Sequence, residues 1–264
     1  MSDPRLPSEM DDYMRSLGWG EHHDQWHYEQ RYDFWRHLAA RGDAGAAQVV
    51  AYGDAKGWKR AAYQEGAPGH GLHFLAMHRA MFQLLAERFP QHRPYLAGWP
   101  TPPQNPADRD DPVPGGVPFA PEKAQGIVVV ETQPSRFATD DDFALFLETD
   151  LRPTPTDPTN RTPDRQTGLH NWLHNRWTDP DSPVNLGDPT VNIFNARFWR
   201  LHGWIDRMWS AYRTARGASD DEPRYRELLD SYRHMMAHGG HHDMAMAGAA
   251  AAPRPERLRR AFSD

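Results

Sequence analysis

The sequence has no cysteine among its 264 residues, which removes disulfides, thiolate metal sites and cysteine nucleophiles and leaves the redox compartment open. Any metal bound here is held by nitrogen or oxygen. Long apolar runs are missing too: no stretch nears the ~20 consecutive apolar residues of a membrane-crossing helix. The first residues, Met1 to Gly18, are charged, broken by Pro4 and Pro7, and contain no signal-peptide core. A cytoplasmic location without a membrane partner is the default expectation. There is no basic excess either, because the formal net charge is −6 with neutral histidines, so nothing asks for a nucleic-acid backbone. No internal repeat of solenoid type is present.

What is plentiful is histidine, fifteen residues, and tryptophan, ten. Histidine is the commonest metal ligand and the usual proton-transfer side chain, so the question becomes where these residues cluster. The apolar fraction of 38% and charged fraction of 25% suit a globular chain.

Hydrophobic spacing predicts a mainly α fold, with long proline-rich loops and little β structure. Tyr13, Leu17, Trp26, Tyr32, Phe34, Trp35 and Leu38 recur at helical spacing, and Gly18 and Gly20 divide that stretch into two helices. Ala44 to Gln64 is a further helical stretch broken at Gly53 and Gly57. Leu75, Met81, Phe82 and Leu85 share one face of a helix over 72–89 that Pro90 stops, and His78 lies on the same face. Seven prolines between Pro100 and Pro118 mark the segment 94–121 as an irregular excursion. Gly126 to Glu131, rich in valine, reads as a short strand. Thr139 before three aspartates is a helix start, since acidic groups suit a helix N-terminus. Helices are expected over 168–177, 193–216 and 221–236.

His170 and His174, four residues apart on one short helix, present two imidazoles on one face. His202 sits on the apolar stripe of the long helix that follows. An imidazole on a core face needs a partner for each ring nitrogen, and three of them converging on one metal meet that demand. Zinc would suit the same arrangement, and a pair at this spacing alone equally fits two separately satisfied core histidines.

The run Leu169-His170-Asn171-Trp172-Leu173-His174, followed after a loop by Phe198 to Trp209 with His202, Asp206 and Arg207, resembles the copper B half of the tyrosinase, catechol oxidase and hemocyanin family of type 3 copper proteins. Phe74-Leu75-Ala76-Met77-His78-Arg79 is similar to the A half of that family, whose aromatic-rich segment ends in His-Arg. The resemblance covers roughly 32–99 and 168–212. It implies one tyrosinase-like domain over 1–264, a helical bundle with a dinuclear copper site at its centre. The copper A half would occupy about 27–99, the copper B half about 168–212, and 238–264 would be a flexible tail. His170, His174 and His202 would hold copper B. His78 would be the third ligand of copper A, with His70 the second and His73 its alternative, and His37 the first, with His27 its alternative.

The resemblance further implies two copper ions, dioxygen and a small phenolic or aminophenolic substrate as partners, and hydroxylation or oxidation of phenols, catechols or o-aminophenols to quinone-type products. Asn171 would help deprotonate the phenol with Asp164 as the acid, and Asp206 would support the ring of His202. A reversible dioxygen carrier resembling hemocyanin would use the same ligands, and a metal-binding helical protein with an incomplete copper A site is the other alternative. Di-iron bundles instead bring Glu-x-x-His pairs to the metal, and no such pairing occurs here. His234, His238, His241 and His242 with Met235, Met236, Met244 and Met246 suit Cu(I), consistent with a copper-delivery role or partner, and equally with incidental histidines in a tail.

Overall fold

The computed structural model describes residues 5–103 and 116–238, and within them the chain is mainly helical. Its helices are α1 (Ser8–Ser16), α2 (Trp19–Gln30), α3 (Tyr32–Ala40), α4 (Ala44–Ala55), α5 (His70–Arg88), α6 (Arg93–Leu96), α7 (Pro121–Thr132), α8 (Asp140–Glu148), α9 (Leu169–Arg176), α10 (Ala196–Arg216) and α11 (Pro223–His238). The β content among the described residues is two isolated bridges, Arg5 with Asn195 and Leu151 with Arg161. No described helix is long and apolar enough to cross a membrane.

Local chemistry sets the helix ends. Thr139 accepts from the Asp142 N–H while the Asp142 carboxylate accepts from the Thr139 N–H, a reciprocal cap that starts α8. The neighbouring Asp141 starts a different helix: its carboxylate accepts from Gly69 N–H at 2.6 Å and Gly71 N–H at 2.9 Å, capping α5 from across the α5–α8 contact. A Cβ on Gly71 would press on the Asp141 backbone, so the absence of a side chain there lets the two helices meet.

The stretch read as two helices before Arg41 is three, because the chain bends again at Arg31 (φ −107°, ψ 21°). That bend carries Arg31 into a buried ion pair with Glu65 at 2.7 Å. The predicted strand over 126–131 is part of helix α7. Pro121 opens the helix and Glu122 lies in its first turn. Ile127 and Val130, three residues apart, both enter the core, so packing of one helical face overrides the strand preference of valine. The start of the expected excursion forms the short helix α6, and 104–115 lie outside the described residues.

The main core is aromatic. Trp19, Phe74, Phe198, Trp199, Trp204 and Trp209 are fully buried where α2, α5 and α10 pack with α8, α9 and α11. A smaller cluster of Tyr28, Phe34, Trp35, Val49 and Trp58 joins α2, α3 and α4. The histidines that matter for function sit in the main core, on α2, α5, α9 and α10.

Candidate metal centre

Two pairs of imidazoles at i, i+4 face each other across the core. His23 and His27 project from α2, with Nε2 atoms 3.1 Å apart. His170 and His174 project from α9, with ring centroids 4.5 Å apart. A third ring joins each pair from a long helix, His78 on α5 and His202 on α10. The ligand-capable nitrogens of His23, His27 and His78 all lie within 4.8 Å of one another, as do those of His78, His170 and His202. His78 and His202 stack, with centroids 4.3 Å apart and planes 19° apart, so the two groups are contiguous.

Carbonyl oxygens fix which nitrogen faces inward in five of the six rings. His78 Nδ1 donates to Phe74 O at 2.8 Å and His202 Nδ1 donates to Phe198 O at 2.9 Å, both four residues back on the same helix. His23 Nδ1 donates to Pro189 O and His174 Nδ1 to Leu186 O, each at 2.9 Å, so one loop anchors a ring from each pair. His170 Nδ1 donates to the Asn171 side-chain oxygen at 3.1 Å. Five rings thus carry their proton on Nδ1 and turn the Nε2 lone pair to the centre. Glycine permits this approach: a Cβ on Gly20 would collide with the Thr190 carbonyl oxygen, and α2 could not then reach the loop that holds His23.

The electrostatics favour neutral rings. Burial first, and then the neighbouring imidazoles, hold His27, His78, His170 and His202 well below the ordinary histidine value of 6.5. Burial lowers His174 to about 3.

The cluster therefore contains contacts that neutral rings cannot satisfy alone. His170 Nε2 and His202 Nε2 are 3.0 Å apart, yet both rings have already used their N–H on Nδ1. Two lone pairs at that distance repel unless a cation stands between or beside them. His78 Nε2 is buried and has no hydrogen-bond partner among the described residues, a costly state for a polar atom. A divalent or monovalent transition metal with a taste for imidazole meets both demands, and the residues present fit such a group.

Of the residues singled out from sequence, His78, His170, His174 and His202 come together, and His27, held there as an alternative, joins them. His37, His70 and His73 do not. His37 lies near the surface of α3, with Nε2 3.5 Å from the Asp157 carboxylate. His70 is buried beside the centre but turned away from it: Nε2 meets Glu148 at 2.7 Å and Nδ1 meets Gln30 Oε1 at 3.1 Å. Burial pulls His70 down, but the Glu148 charge and hydrogen bond outweigh it and the net direction is up. His73 Nδ1 lies 2.8 Å from the Tyr232 hydroxyl.

Asp164 is exposed in the loop before α9, where its carboxylate accepts from the Gln166 N–H, and it does not partner Asn171. Asp206 does not support a ring, since the Nδ1 of His202 is satisfied by Phe198 O. Instead it pairs with Arg79 at 2.6 Å. His23 was not anticipated, although its spacing from His27 repeats that of His170 and His174. His234 and His238 stand on α11 with rings 4.3 Å apart, both exposed; Met236 on the same helix is buried, and His241, His242, Met244 and Met246 lie outside the described residues.

No protein-family model, no curated protein and no solved structure matches this chain.

Proposed function

We propose that the chain is a dinuclear copper protein of tyrosinase-like chemistry, an oxidoreductase that uses dioxygen to oxidise phenols, catechols or o-aminophenols to quinone-type products. The observation that carries this reading is a buried cluster of six imidazoles in which two close triads, His23 with His27 and His78, and His78 with His170 and His202, share His78, and His174 packs against His170 and His202. His23, His27 and His78 would hold one copper, and His170, His174 and His202 the other. When bound, the pair of coppers would supply two electrons to dioxygen together. The all-nitrogen, thiolate-free donor set is compatible with copper, and the sequence resemblance at His170, His174 and His202 selects copper over zinc.

The chain's own contribution is rigidity and access. Carbonyl anchors on Nδ1 keep five of the six rings in one tautomer and one orientation, as hydrogen bonds behind metal ligands do generally. His27 and Asn171 are the more accessible members, 7% and 9% exposed against 0% for His170 and His174. A planar phenol would approach from that margin. Asn171 orients His170 through the hydrogen bond that its side-chain oxygen accepts.

The same depth favours a second reading, reversible dioxygen carriage without turnover, because a centre this buried limits contact with a phenol. Anaerobic loading with Cu(I), metal analysis, and the absorbance of the dioxygen adduct test the centre, and a catechol assay separates enzyme from carrier. Two coppers per chain and catechol turnover are expected. Failure to take up copper, or preferential retention of zinc, overturns the proposal; copper uptake with reversible oxygenation and no turnover selects the carrier.

A further inference from the structure

Trp26 packs its indole edge-on against His27, with centroids 5.0 Å apart, and reaches His78 at 6.3 Å. From there a line of oxidisable side chains leads outward. Trp26 Nε1 donates to the Tyr232 hydroxyl oxygen at 3.1 Å. An indole N–H can only donate, so the phenol hydrogen of Tyr232 is left for His73 Nδ1, 2.8 Å away. His73 in turn packs against Tyr63, with centroids 4.6 Å apart. Tyr63 is 37% exposed, and its ring lies against the backbone of Gly69, where a Cβ would crowd it. Three other buried indoles end differently: Trp199, Trp204 and Trp209 donate to Ile193 O, Glu131 and Asp140, none of them oxidisable.

We propose that Trp26, Tyr232, His73 and Tyr63 form a hole-transfer chain that carries single oxidising equivalents from the histidine cluster to the protein surface. The proposal rests on the dioxygen-activating reading of that cluster, with dioxygen as the ultimate oxidant. Each hole moving outward is one electron moving inward. Trp26 loses an electron to the centre and recovers one from Tyr232. As Tyr232 is oxidised, its phenol proton passes to His73 Nδ1, leaving a phenoxyl radical beside an imidazolium. Tyr63 then supplies an electron to Tyr232, the proton returns from His73, and the Tyr63 phenol proton leaves to water. A soluble one-electron reductant of the phenol or enediol class restores Tyr63 with an electron and a proton.

His73 is suited to its part, because burial, with His70 and Arg224 adding to it against Asp141, lowers it to about 4 and keeps it a neutral acceptor. Burial raises Tyr232 to about 12, so it is a protonated phenol until oxidised. The chain would protect the core when dioxygen reacts without substrate. Met77 is buried next to His78, and sulfoxidation there would put a polar group into the packing.

The test injects holes without relying on copper. Metal-free, full-length protein is photo-oxidised with a soluble ruthenium(III) tris-bipyridyl complex, freeze-quenched and read by electron paramagnetic resonance. A long-lived phenoxyl radical hydrogen-bonded to an imidazolium is expected. It should vanish in Tyr232→Phe, fall several-fold in yield in Tyr63→Phe, and lose the imidazolium signature in His73→Gln. Phenylalanine keeps the ring packing, and circular dichroism checks the fold of each variant. The same signal in Tyr232→Phe, or an unchanged yield in Tyr63→Phe, overturns the chain. In protein loaded anaerobically with Cu(I), the flash should produce the Cu(II) signal more slowly in Tyr232→Phe than in the parent; equal rates overturn the connection to the centre. Absence of copper uptake would instead overturn the proposed function, and the metal-free radical experiment would still decide the chain.

Discussion

Arg79 and Asp206 form an ion pair at 2.6 Å that joins the residue after His78 to the residue one turn beyond His202. The guanidinium also donates to Tyr225, to Ser210 and to the Asp206 carbonyl, and lies over the Trp209 ring at 3.9 Å. The two long helices that carry the third ring of each group are thereby locked in register. Asp206→Asn leaves a buried guanidinium with its counter-charge removed. Asp206 itself is one-third exposed, so solvent screens part of the loss, and a cost of about 1–3 kcal/mol is expected. Urea unfolding of the metal-free protein checks it. A loss within error of zero would show that the pair does not fix the register of α5 and α10.

The helical class and most helix positions were legible because apolar spacing and caps such as Thr139 are local signals. So was the B-side group, since His170 and His174 sit four residues apart and His202 lies on an apolar stripe. The A side misled for a physical reason. His70 and His73 precede His78 at the spacing a loop ligand would have, but Asp141 caps that segment into helix α5, which turns His70 toward Glu148 and His73 toward Tyr232. The strand expected at Gly126 to Glu131 failed likewise: a valine run fits a sheet or a buried helical face, and which one depends on neighbours such as the loop carbonyl of Gln166, against which Gly126 packs. That two distant i, i+4 pairs share an anchoring loop is a tertiary fact that no local pattern contains.

The two assignments of the A-side group differ in a measurable way. On the proposed two-copper reading, His23→Ala, which removes a ring whose Nε2 faces the cluster, should lower metal content from two ions per chain toward one. His37→Ala, at the surface of α3, should leave metal content unchanged. Plasma mass spectrometry of the copper-loaded variants reads both. Full occupancy in His23→Ala would return His23 to the role of an ordinary core histidine.

Gly20→Ala tests how the anchoring loop and α2 meet. The added methyl would collide with the Thr190 carbonyl oxygen, and a backbone cannot yield as a flexible side chain does. The helix should move off the loop and weaken the His23 bond to Pro189. The expected cost is about 1–3 kcal/mol, as for overpacking elsewhere in cores, with weakened copper binding at the A-side group. Thermal unfolding and copper titration together measure it; stability and affinity equal to the parent would mean that α2 docks with slack.

Acid should destabilise the metal-free protein from an unusually high pH. His27, His78, His170, His174 and His202 are depressed below 6.5 in the folded chain, His174 to about 3. Below pH 6.5 the unfolded chain takes up protons that the folded cluster refuses, so stability falls as pH falls, by up to about 1.4 kcal/mol per pH unit for each such ring. The loss continues until the folded values are reached. His70 runs the other way: its folded value is raised, so its contribution is complete below 6.5 and is lost as pH rises through that value. His73, lowered to about 4, adds to the same loss, and the His70 contribution is constant below 6.5, so the histidine slope between pH 6.5 and about 4 is steeply downward on acidification. Copper, which binds only the neutral rings, should shift the acid unfolding midpoint downward. Urea unfolding across this range, with and without copper, gives the slope. A flat profile in the metal-free protein would mean that the six imidazoles are hydrated and well separated in solution, and the centre as described here would not exist.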